Sequence, residues 1–296
     1  MKIYIAIDML KIDYKLQMST QDYVNEDSMP TINGTSSNDI MNYSGYQNAP
    51  PVGWPVDQAW LILNGLTGND SIYGSSYNDY IDGGSGQDLI YGNGGNDLIY
   101  GGGDVDTIYG GSGNDTVFAG AGGDYLYGED GNDKLYGGAY SDELYGGNGN
   151  DTLVGDGATD KLYGGGGDDI LSGGASTDQL IGGAGNDILW GGSGNDNYIF
   201  DGLGIDHIND GVTDSGSARV DTAYDIYDKV NVSFSAAEIA YERRGNDLWI
   251  TNEIDIGNPS PANALVIDSF YLGGHYTVET LITSDGYNVN LLGLLA

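Results

Sequence analysis

Between residues 65 and 199 the apolar positions of the chain follow a nine-residue period. When each nonapeptide is numbered from its first residue, position 8 is Ile, Val or Leu in fourteen of fifteen repeats, from Ile72 to Leu189, and Tyr198 in the last. Position 1 is glycine in every repeat except the one that begins at Ala119. Glycine-rich positions 1 to 4 predict a turn, and the residues at positions 7 to 9 favour a short strand. A repeat of this kind predicts a solenoid.

Two nonapeptides make one coil of eighteen residues, with one strand in each of two sheets and position 8 pointing inward from both. Successive coils are then separated by the ordinary spacing between strands, about 4.8 Å. The predicted fold class is therefore all-β. It is a parallel β-roll, a right-handed β-solenoid, with a small β-rich cap at the C-terminal end.

The period divides the chain into three parts. Residues 1–64 are predicted to be an N-terminal cap, which holds one degenerate repeat at 34–40 and an insert around Pro50 and Pro51 that is out of register. Residues 65–199 are the roll. Residues 200–296 begin with a closing turn, and their alternating apolar and polar residues predict antiparallel strands, for example at 229–232, 247–250 and 265–267.

Composition restricts the partners of such a chain. The formal net charge is −35, with 44 acidic and 9 basic residues among 296. A chain this acidic and glycine-rich stays disordered without counter-ions, and nucleic acid would carry the same sign of charge. Zero cysteines and only two histidines, His207 and His275, leave oxygen as the metal ligand. The chain shows neither an N-terminal secretory signal nor a transmembrane run.

Position 6 is aspartate in all fifteen repeats. These candidate metal ligands are Asp70, Asp79, Asp88, Asp97, Asp106, Asp115, Asp124, Asp133, Asp142, Asp151, Asp160, Asp169, Asp178, Asp187 and Asp196. Stacking places each one against the aspartate eighteen residues later, and two like charges roughly 5 Å apart repel by about 3 kcal/mol at an effective dielectric constant near 20. A divalent ion between the coils replaces this repulsion with attraction. Carbonyl groups of the turns complete the coordination shell of the ion. An all-oxygen shell of flexible number favours Ca²⁺ over Mg²⁺ and Zn²⁺.

The aspartates also give a number of ions. Fifteen residues, each paired with the one eighteen positions later, make about thirteen pairs, because the last two have no later partner. Thirteen Ca²⁺ ions would contribute +26 and reduce the charge of −35 to −9. Metal ligation is the large favourable contribution to the free energy of folding. The sequence therefore predicts a chain that is largely unfolded without Ca²⁺ and folded with it.

The turns fall into two groups, one on each edge of the roll. On the edge of Asp79, Asp97 and every eighteenth residue to Asp187, which we call the regular edge, position 4 is glycine and position 5 asparagine in six of seven turns. On the other edge, from Asp70 to Asp196, which we call the variable edge, both positions change, as at Tyr140 and Ala158. Two interpretations remain open: all sites fill, or those between Asp142, Asp160 and Asp178 bind Ca²⁺ weakly or not at all.

Position 9 is aromatic in ten of fifteen repeats and is predicted to face outward. Stacked aromatics could form a platform for a polysaccharide, another protein or a cell surface. The alternative, which we favour, is that these residues suit an exposed strand and stack across neighbouring strands.

The nonapeptide G-G-x-G-x-D-x-U-x, where U is a large aliphatic residue, resembles that of the RTX, or haemolysin-type calcium-binding, proteins. Segments 242–250 and 266–270 also resemble the capping domain that follows such repeats. The resemblance implies a secreted, extracellular protein that type I secretion machinery exports unfolded through an uncleaved C-terminal signal and that folds outside the cell. The apolar end, 291–296, is either that signal or a last strand.

Three functions are consistent with these features. The first is a secreted, calcium-binding repeat module that catalyses nothing, since neither H-E-x-x-H nor G-x-S-x-G occurs and only 64 residues precede the repeats. The second is an adhesin or carbohydrate-binding module that uses the tyrosine-rich face. The third is the C-terminal part of an exoenzyme or toxin.

Overall fold

The structure, a computed structural model, describes residues 31–44, 61–201, 203–208, 228–232, 239–244, 247–252, 264–267 and 278–291. These residues form an all-β fold in which no α-helix occurs, and the predicted parallel β-roll is confirmed. No helix in the described part of the chain has the length and apolar character needed to cross a membrane.

Twenty-five strands make up the described fold. They are β1 (Thr31–Asn33), β2 (Ile40–Asn42), β3 (Ile62–Asn64), β4 (Ser71–Tyr73), β5 (Tyr80–Ser85), β6 (Leu89–Gly94), β7 (Leu98–Gly103), β8 (Thr107–Ser112), β9 (Thr116–Ala121), β10 (Tyr125–Asp130), β11 (Lys134–Ala139), β12 (Glu143–Asn148), β13 (Thr152–Asp156), β14 (Lys161–Gly166), β15 (Ile170–Ala175), β16 (Gln179–Ala184), β17 (Ile188–Ser193), β18 (Asn197–Phe200), β19 (Ile205–Ile208), β20 (Asp228–Val232), β21 (Ile239–Arg244), β22 (Asp247–Asn252), β23 (Ala264–Ile267), β24 (Val278–Ile282) and β25 (Asn288–Asn290).

The strands alternate between two sheets, as the eighteen-residue coil predicts. One sheet has the order β1-β3-β5-β7-β9-β11-β13-β15-β17-β19-β23-β22-β21, and the other β2-β4-β6-β8-β10-β12-β14-β16-β18-β20-β24-β25. Equivalent repeat positions pair in parallel register, for example Leu126 with Ile108 on one side and with Leu144 on the other. Most strands are longer than predicted, since they run from position 7 to position 3 of the next repeat and leave only positions 4 to 6 for the turn.

The core is the space between the two sheets. Position 8 is buried in all fifteen repeats, from Ile72 to Tyr198, with no more than 1% of any of these residues exposed. Its side chains belong to one continuous hydrophobic cluster that extends from Met41 to Leu291. Burial of a large aliphatic side chain contributes about 1.5 to 3 kcal/mol, so this row is the main apolar contribution to the roll.

The parallel ladders continue beyond the nonapeptide block at both ends. β1 and β2 extend the two sheets on the N-terminal side, and β19, β20, β23 and β24 extend them on the C-terminal side. The expected antiparallel pairs occur only further out, between β21 and β22, β22 and β23, and β24 and β25. The expectation for 229–232 was therefore wrong: β20 pairs in parallel with both neighbours, and its Val230 and Val232 are buried in the core.

The turns depend on left-handed backbone at positions 2 and 4. Gly113, at position 4 of its repeat, has φ of +126°, a conformation that side chains other than hydrogen rarely tolerate. On the variable edge, Asp104, Tyr140, Ala158 and Ser176 adopt the same region, with φ between +70° and +87°. The turn geometry is thus kept on that edge without glycine, at a steric cost of about 1 to 2 kcal/mol per residue.

Candidate metal centre

The fifteen aspartates form two columns, one along each edge of the roll. All fifteen are buried, with at most 3% of each residue exposed. Position 6 is the last residue of the turn and directly precedes a strand, so the coil repeat brings these carboxylates into register from one coil to the next. The structure therefore brings together the residues that the sequence predicted, in two separate rows.

One oxygen of each carboxylate connects neighbouring coils. From Asp88 to Asp196, Oδ1 accepts a hydrogen bond from the backbone N–H of the aspartate eighteen residues earlier, at 2.7 to 2.9 Å. In Asp70 the same oxygen accepts from Asp39 N–H at 2.7 Å, and in Asp79 it accepts from Leu61 N–H at 3.1 Å. Each aspartate side chain is thereby held in one orientation.

The second oxygen, Oδ2, lacks such a donor in most repeats. Within the part of the chain that the structure describes, it is buried and receives no hydrogen bond in Asp70, Asp88, Asp97, Asp106, Asp115, Asp124, Asp133, Asp142, Asp151, Asp160, Asp169, Asp178 and Asp187. A buried polar atom without a partner costs about 1 to 3 kcal/mol, and more when it is charged. A row of such oxygens is the pattern expected of sites built for a cation.

Backbone oxygen atoms lie beside these carboxylates. The point where a Cβ atom would lie on Gly83 is 2.6 Å from Asp88 Oδ2 and 2.7 Å from the carbonyl oxygen of Gly101 in the next coil. The same arrangement recurs at Gly65, Gly101 and Gly173. Glycine at position 1 therefore leaves room for a carboxylate oxygen and a carbonyl oxygen to face one space, and both are ligands that Ca²⁺ prefers.

Side-chain ligands alone do not complete a site. Among the described residues, no group of three or more His, Cys, Asp or Glu side chains lies close enough together to hold a metal ion. A cation in these columns would therefore be held by one or two carboxylates together with backbone carbonyl oxygens. That donor set agrees with the predicted shell and fits a hard cation.

Burial raises the pKa of these aspartates. Desolvation, with repulsion from neighbouring carboxylates, raises the pKa of Asp97 to about 9 and that of Asp106 and Asp178 to about 8. The pKa rises to about 7 in Asp115, Asp142, Asp151 and Asp169 and to about 6 in Asp88, Asp133 and Asp160. The columns thus resist carrying full negative charge in the absence of a cation.

The two edges differ at position 5. On the regular edge, Oδ1 of each asparagine from Asn78 to Asn150 accepts the backbone N–H of the residue eighteen positions later, at 2.7 to 3.0 Å. On the variable edge the side chains of Asn69 and Ser141 accept in the same way, at 3.1 and 3.3 Å. The position-5 ladder runs through every turn of the regular edge, whereas the substitutions at Val105 and Gly123 remove the acceptor from the variable edge.

Two aspartates outside the predicted set extend the columns. Asp39 precedes Asp70 by 31 residues, and Asp206 follows Asp187 by 19. Asp206 is buried, and desolvation together with the nearby Asp187 carboxylate raises its pKa. Neither is among the fifteen predicted ligands because residues are inserted next to them, although the degenerate repeat predicted at 34–40 contains Asp39. The segment G-x-G-x-D at 202–206, followed by the buried Ile208, is the signal that could have found Asp206.

The position-9 tyrosines stack on one another. Rings of Tyr73, Tyr91, Tyr109, Tyr127, Tyr145 and Tyr163 lie 4.6 to 4.9 Å apart between centroids, with planes 3° to 9° from parallel. The separation equals the strand spacing. Each ring face inside the row is therefore covered by the next ring, and the row leaves ring edges and hydroxyl groups toward solvent.

Some sequence predictions lie outside the described residues. They are those for His275, for the insert at 45–60, for 268–270 and for the apolar end at 292–296. His207 is described in β19, where its ring meets that of Trp249 edge to face at 6.5 Å, and it lies on the outer side of the strand, between the buried residues Asp206 and Ile208.

Comparison with known proteins agrees with this geometry. The family described as the RTX calcium-binding nonapeptide repeat matches in blocks of four copies at residues 64–99, 100–135, 127–162, 136–171, 163–198 and 172–206. A search of curated proteins finds no relative of the chain. The matched blocks cover all fifteen nonapeptides and their position-6 aspartates. Residues 64–206 therefore belong to the RTX calcium-binding repeat family, and this chain carries a calcium-binding repeat module.

Proposed function

We propose that the chain is a secreted module that binds many Ca²⁺ ions, about thirteen by the pairing of its aspartates, and that folds when they bind. The fifteen position-6 aspartates are its ligands, together with turn carbonyl groups. The single observation that carries this proposal is the row of buried Oδ2 atoms that face glycine carbonyl oxygens without a hydrogen-bond donor.

The same observation supports a folding switch. Without a cation, closing the roll buries rows of like charges whose pKa values rise on burial. Ca²⁺ binds the folded arrangement and not the extended chain, so its binding free energy becomes folding free energy. The high glycine content makes the binding free energy of Ca²⁺ more necessary for folding, because ordering glycine costs more conformational entropy than ordering any other residue.

The test is far-UV circular dichroism of the purified chain. The protein is stripped with EGTA and titrated with CaCl₂, with MgCl₂ as the control cation. A cooperative gain of β signal with Ca²⁺ and not with Mg²⁺ is expected. An equal β signal before and after stripping would contradict the proposal, since it would mean that the core and the caps fold the roll alone.

We also infer that the chain is exported before it folds and that it acts without catalysis. A chain that folds only at extracellular Ca²⁺ levels can cross an envelope unfolded, as the resemblance to type I substrates implies, and the nonapeptide module itself would perform no reaction. Pulse-labelled cells that carry a matching type I exporter should release the chain into the medium. Truncation after residue 290 tests whether the apolar end is the export signal.

We also propose a three-part organisation with segments 1–64, 65–199 and 200–296. Strands of both flanking segments add to the ladders of the roll, so we expect the flanking segments to protect the roll's ends rather than to fold alone. Limited proteolysis in Ca²⁺ should then yield a fragment longer than 65–199, whereas independent domains would release a fragment of about that length.

The tyrosine-rich face does not support a sugar platform. Carbohydrate-binding aromatic residues would need open ring faces, and in the row from Tyr73 to Tyr163 neighbouring rings cover those faces. Glycan-array binding that is lost on changing Tyr100, Tyr109 and Tyr136 to serine would revive that hypothesis.

A further inference from the structure

Two turns of the described roll differ from the others in how their aspartate is held. They share the pattern G-[ST]-S-x-N-D, at residues 34–39 and 74–79. In both, position 2 carries a hydroxyl side chain, Thr35 or Ser75, and neither of these residues has the positive φ that position 2 adopts in the other repeats. The shared sequence therefore corresponds to a shared and distinct turn.

The hydroxyl residue satisfies the carboxylate oxygen that is left without a donor in most of the other turns. Asp79 Oδ2 accepts the Ser75 N–H at 2.6 Å and the Ser75 hydroxyl at 2.9 Å. Asp39 Oδ2 accepts the Thr35 N–H at 2.6 Å and the Thr35 hydroxyl at 2.9 Å. Each hydroxyl oxygen in turn accepts the backbone N–H two residues later, at 3.1 Å from Tyr77 and 3.2 Å from Ser37. The same clamp is thus built twice, 40 residues apart.

In the clamped turns the carboxylate also lies slightly farther from the position-1 glycine. Oδ2 lies 2.9 Å from the ideal Cβ point of the position-1 glycine in both clamped turns, at Gly34 and Gly74. The corresponding distance is 2.6 Å or less in the unclamped turns, as at Gly65 and Gly83. Asp79 Oδ1 is occupied as well, by the Leu61 N–H and the Ser75 hydroxyl, both at 3.1 Å.

Each clamped turn stands at the N-terminal end of one edge. Turn 34–39 joins β1 to β2 and begins the variable edge, and turn 74–79 joins β4 to β5 and begins the regular edge. Leu61 occupies the place that an aspartate would hold below Asp79. Among the described residues no carboxylate lies below Asp39 or Asp79, and in both turns the hydroxyl clamp donates to Oδ2.

We propose that Ser75 and Thr35 exclude calcium from the first turn of each edge. Asp79 and Asp39 are then structural carboxylates satisfied by the chain itself, and the loaded part of each edge begins one turn later, at Asp97 and at Asp70. This inference rests on the proposed calcium-binding function and removes Asp79 from the predicted ligands. The chain accordingly binds one ion fewer than its aspartate pairs allow.

The test counts bound ions on the full chain by native mass spectrometry in calcium-containing ammonium acetate. Ser75→Gly combined with Tyr77→Gly gives turn 74–79 the sequence G-G-S-G-N-D of turn 110–115. This double variant should bind one ion more than wild type. Ser76→Gly is the matched control, because Ser76 is exposed in the same turn, and it should bind the wild-type number. An unchanged count in the double variant overturns the inference.

A second pair of variants covers the case in which the double variant does not fold. Asp97→Asn should lose at least one ion, and Asp79→Asn should lose none. Loss of an ion in Asp79→Asn would assign Asp79 as a ligand and overturn the inference. A wild-type chain that binds no Ca²⁺ would instead refute the proposed function, so the two failures give different results.

Discussion

At the scale of single residues, each repeat combines one buried apolar side chain with one buried carboxylate, which in most repeats has a donor on only one oxygen. We predict that Asp115→Asn lowers the number of bound Ca²⁺ ions and raises the Ca²⁺ concentration needed for folding. The reason is that an amide nitrogen replaces the oxygen that faces the turn carbonyl groups. Calcium-titrated circular dichroism and native mass spectrometry measure both effects.

The matched control is Asp168→Asn. It removes one negative charge as well, but Asp168 lies at exposed position 5, where the other regular-edge turns already have asparagine. Its Oδ1 accepts the Asn186 N–H at 2.8 Å, which an asparagine oxygen can also do. Equal effects of the two substitutions would show that charge alone, and not the position of the carboxylate, controls binding.

Backbone strain at Tyr140 gives a second prediction. This residue has φ of +78° and is 66% exposed, so its side chain adds little packing. Tyr140→Gly should stabilise the calcium-loaded roll by about 1 kcal/mol, since glycine adopts this conformation without a steric penalty. Urea unfolding in saturating Ca²⁺ measures the change. Ala121→Gly, at a position with ordinary φ, should instead be neutral or slightly destabilising, and stabilisation there would point to a general effect of glycine.

At the scale of strands, the stacked tyrosines should strengthen the ladder. Tyr127 stacks on Tyr109 and Tyr145, at 4.7 and 4.9 Å. Aromatic pairs contribute about 0.5 to 1.5 kcal/mol each beyond their buried area, so Tyr127→Ser should lower the free energy of unfolding by about 1 to 3 kcal/mol. Tyr287→Ser is the control, because Tyr287 is 65% exposed. Equal losses for both would argue against ring stacking.

The sequence predicted most of the element pattern, and the exceptions have physical causes. The inward burial of position 8 and the stacking of the position-6 aspartates were predicted correctly because every coil repeats the same contacts, whereas the role of these aspartates as ligands stays a prediction. Asp206, and Asp39 in the degenerate repeat at 34–40, were not predicted as ligands because insertions shift their spacing, although their place in the stack is kept. The Ser75 clamp was missed because a hydroxyl at position 2 acts through a contact four residues away that the nonapeptide pattern does not contain.

The C-terminal strands show a further limit of the pattern. Alternation of apolar and polar residues in β20 is the same for a parallel and an antiparallel strand. Its direction depends on the end of the roll, where β18 offers a ready edge, and not on its own residues. The residue pattern therefore predicted a strand but not its partner.

At the scale of the whole molecule, the aspartate columns link folding to pH. Burial raises the pKa of these carboxyl groups in the folded state, to values from about 6 in Asp88 to about 9 in Asp97, from an ordinary value of 3.8. At pH values between the ordinary pKa of 3.8 and the folded-state pKa of about 9, the folded roll therefore binds more protons than the unfolded chain. Without Ca²⁺, its stability is greatest below pH 4 and is lost as the pH rises through the range 6 to 9.

We therefore expect the calcium-free chain to gain β structure on acidification and to lose it again at pH 7 to 8, where Ca²⁺ restores it. Because the cation replaces protons, its binding releases protons and the calcium midpoint rises as the pH falls. Circular dichroism from pH 4 to pH 8 in resin-treated buffer measures the first effect, since EGTA binds Ca²⁺ poorly in acid. Calorimetric titration at pH 6 and pH 8 in buffers of different ionisation enthalpy measures the second. A calcium midpoint that is independent of pH would mean that the columns are already ionised in the empty roll, and the desolvation that we assign to them would be wrong.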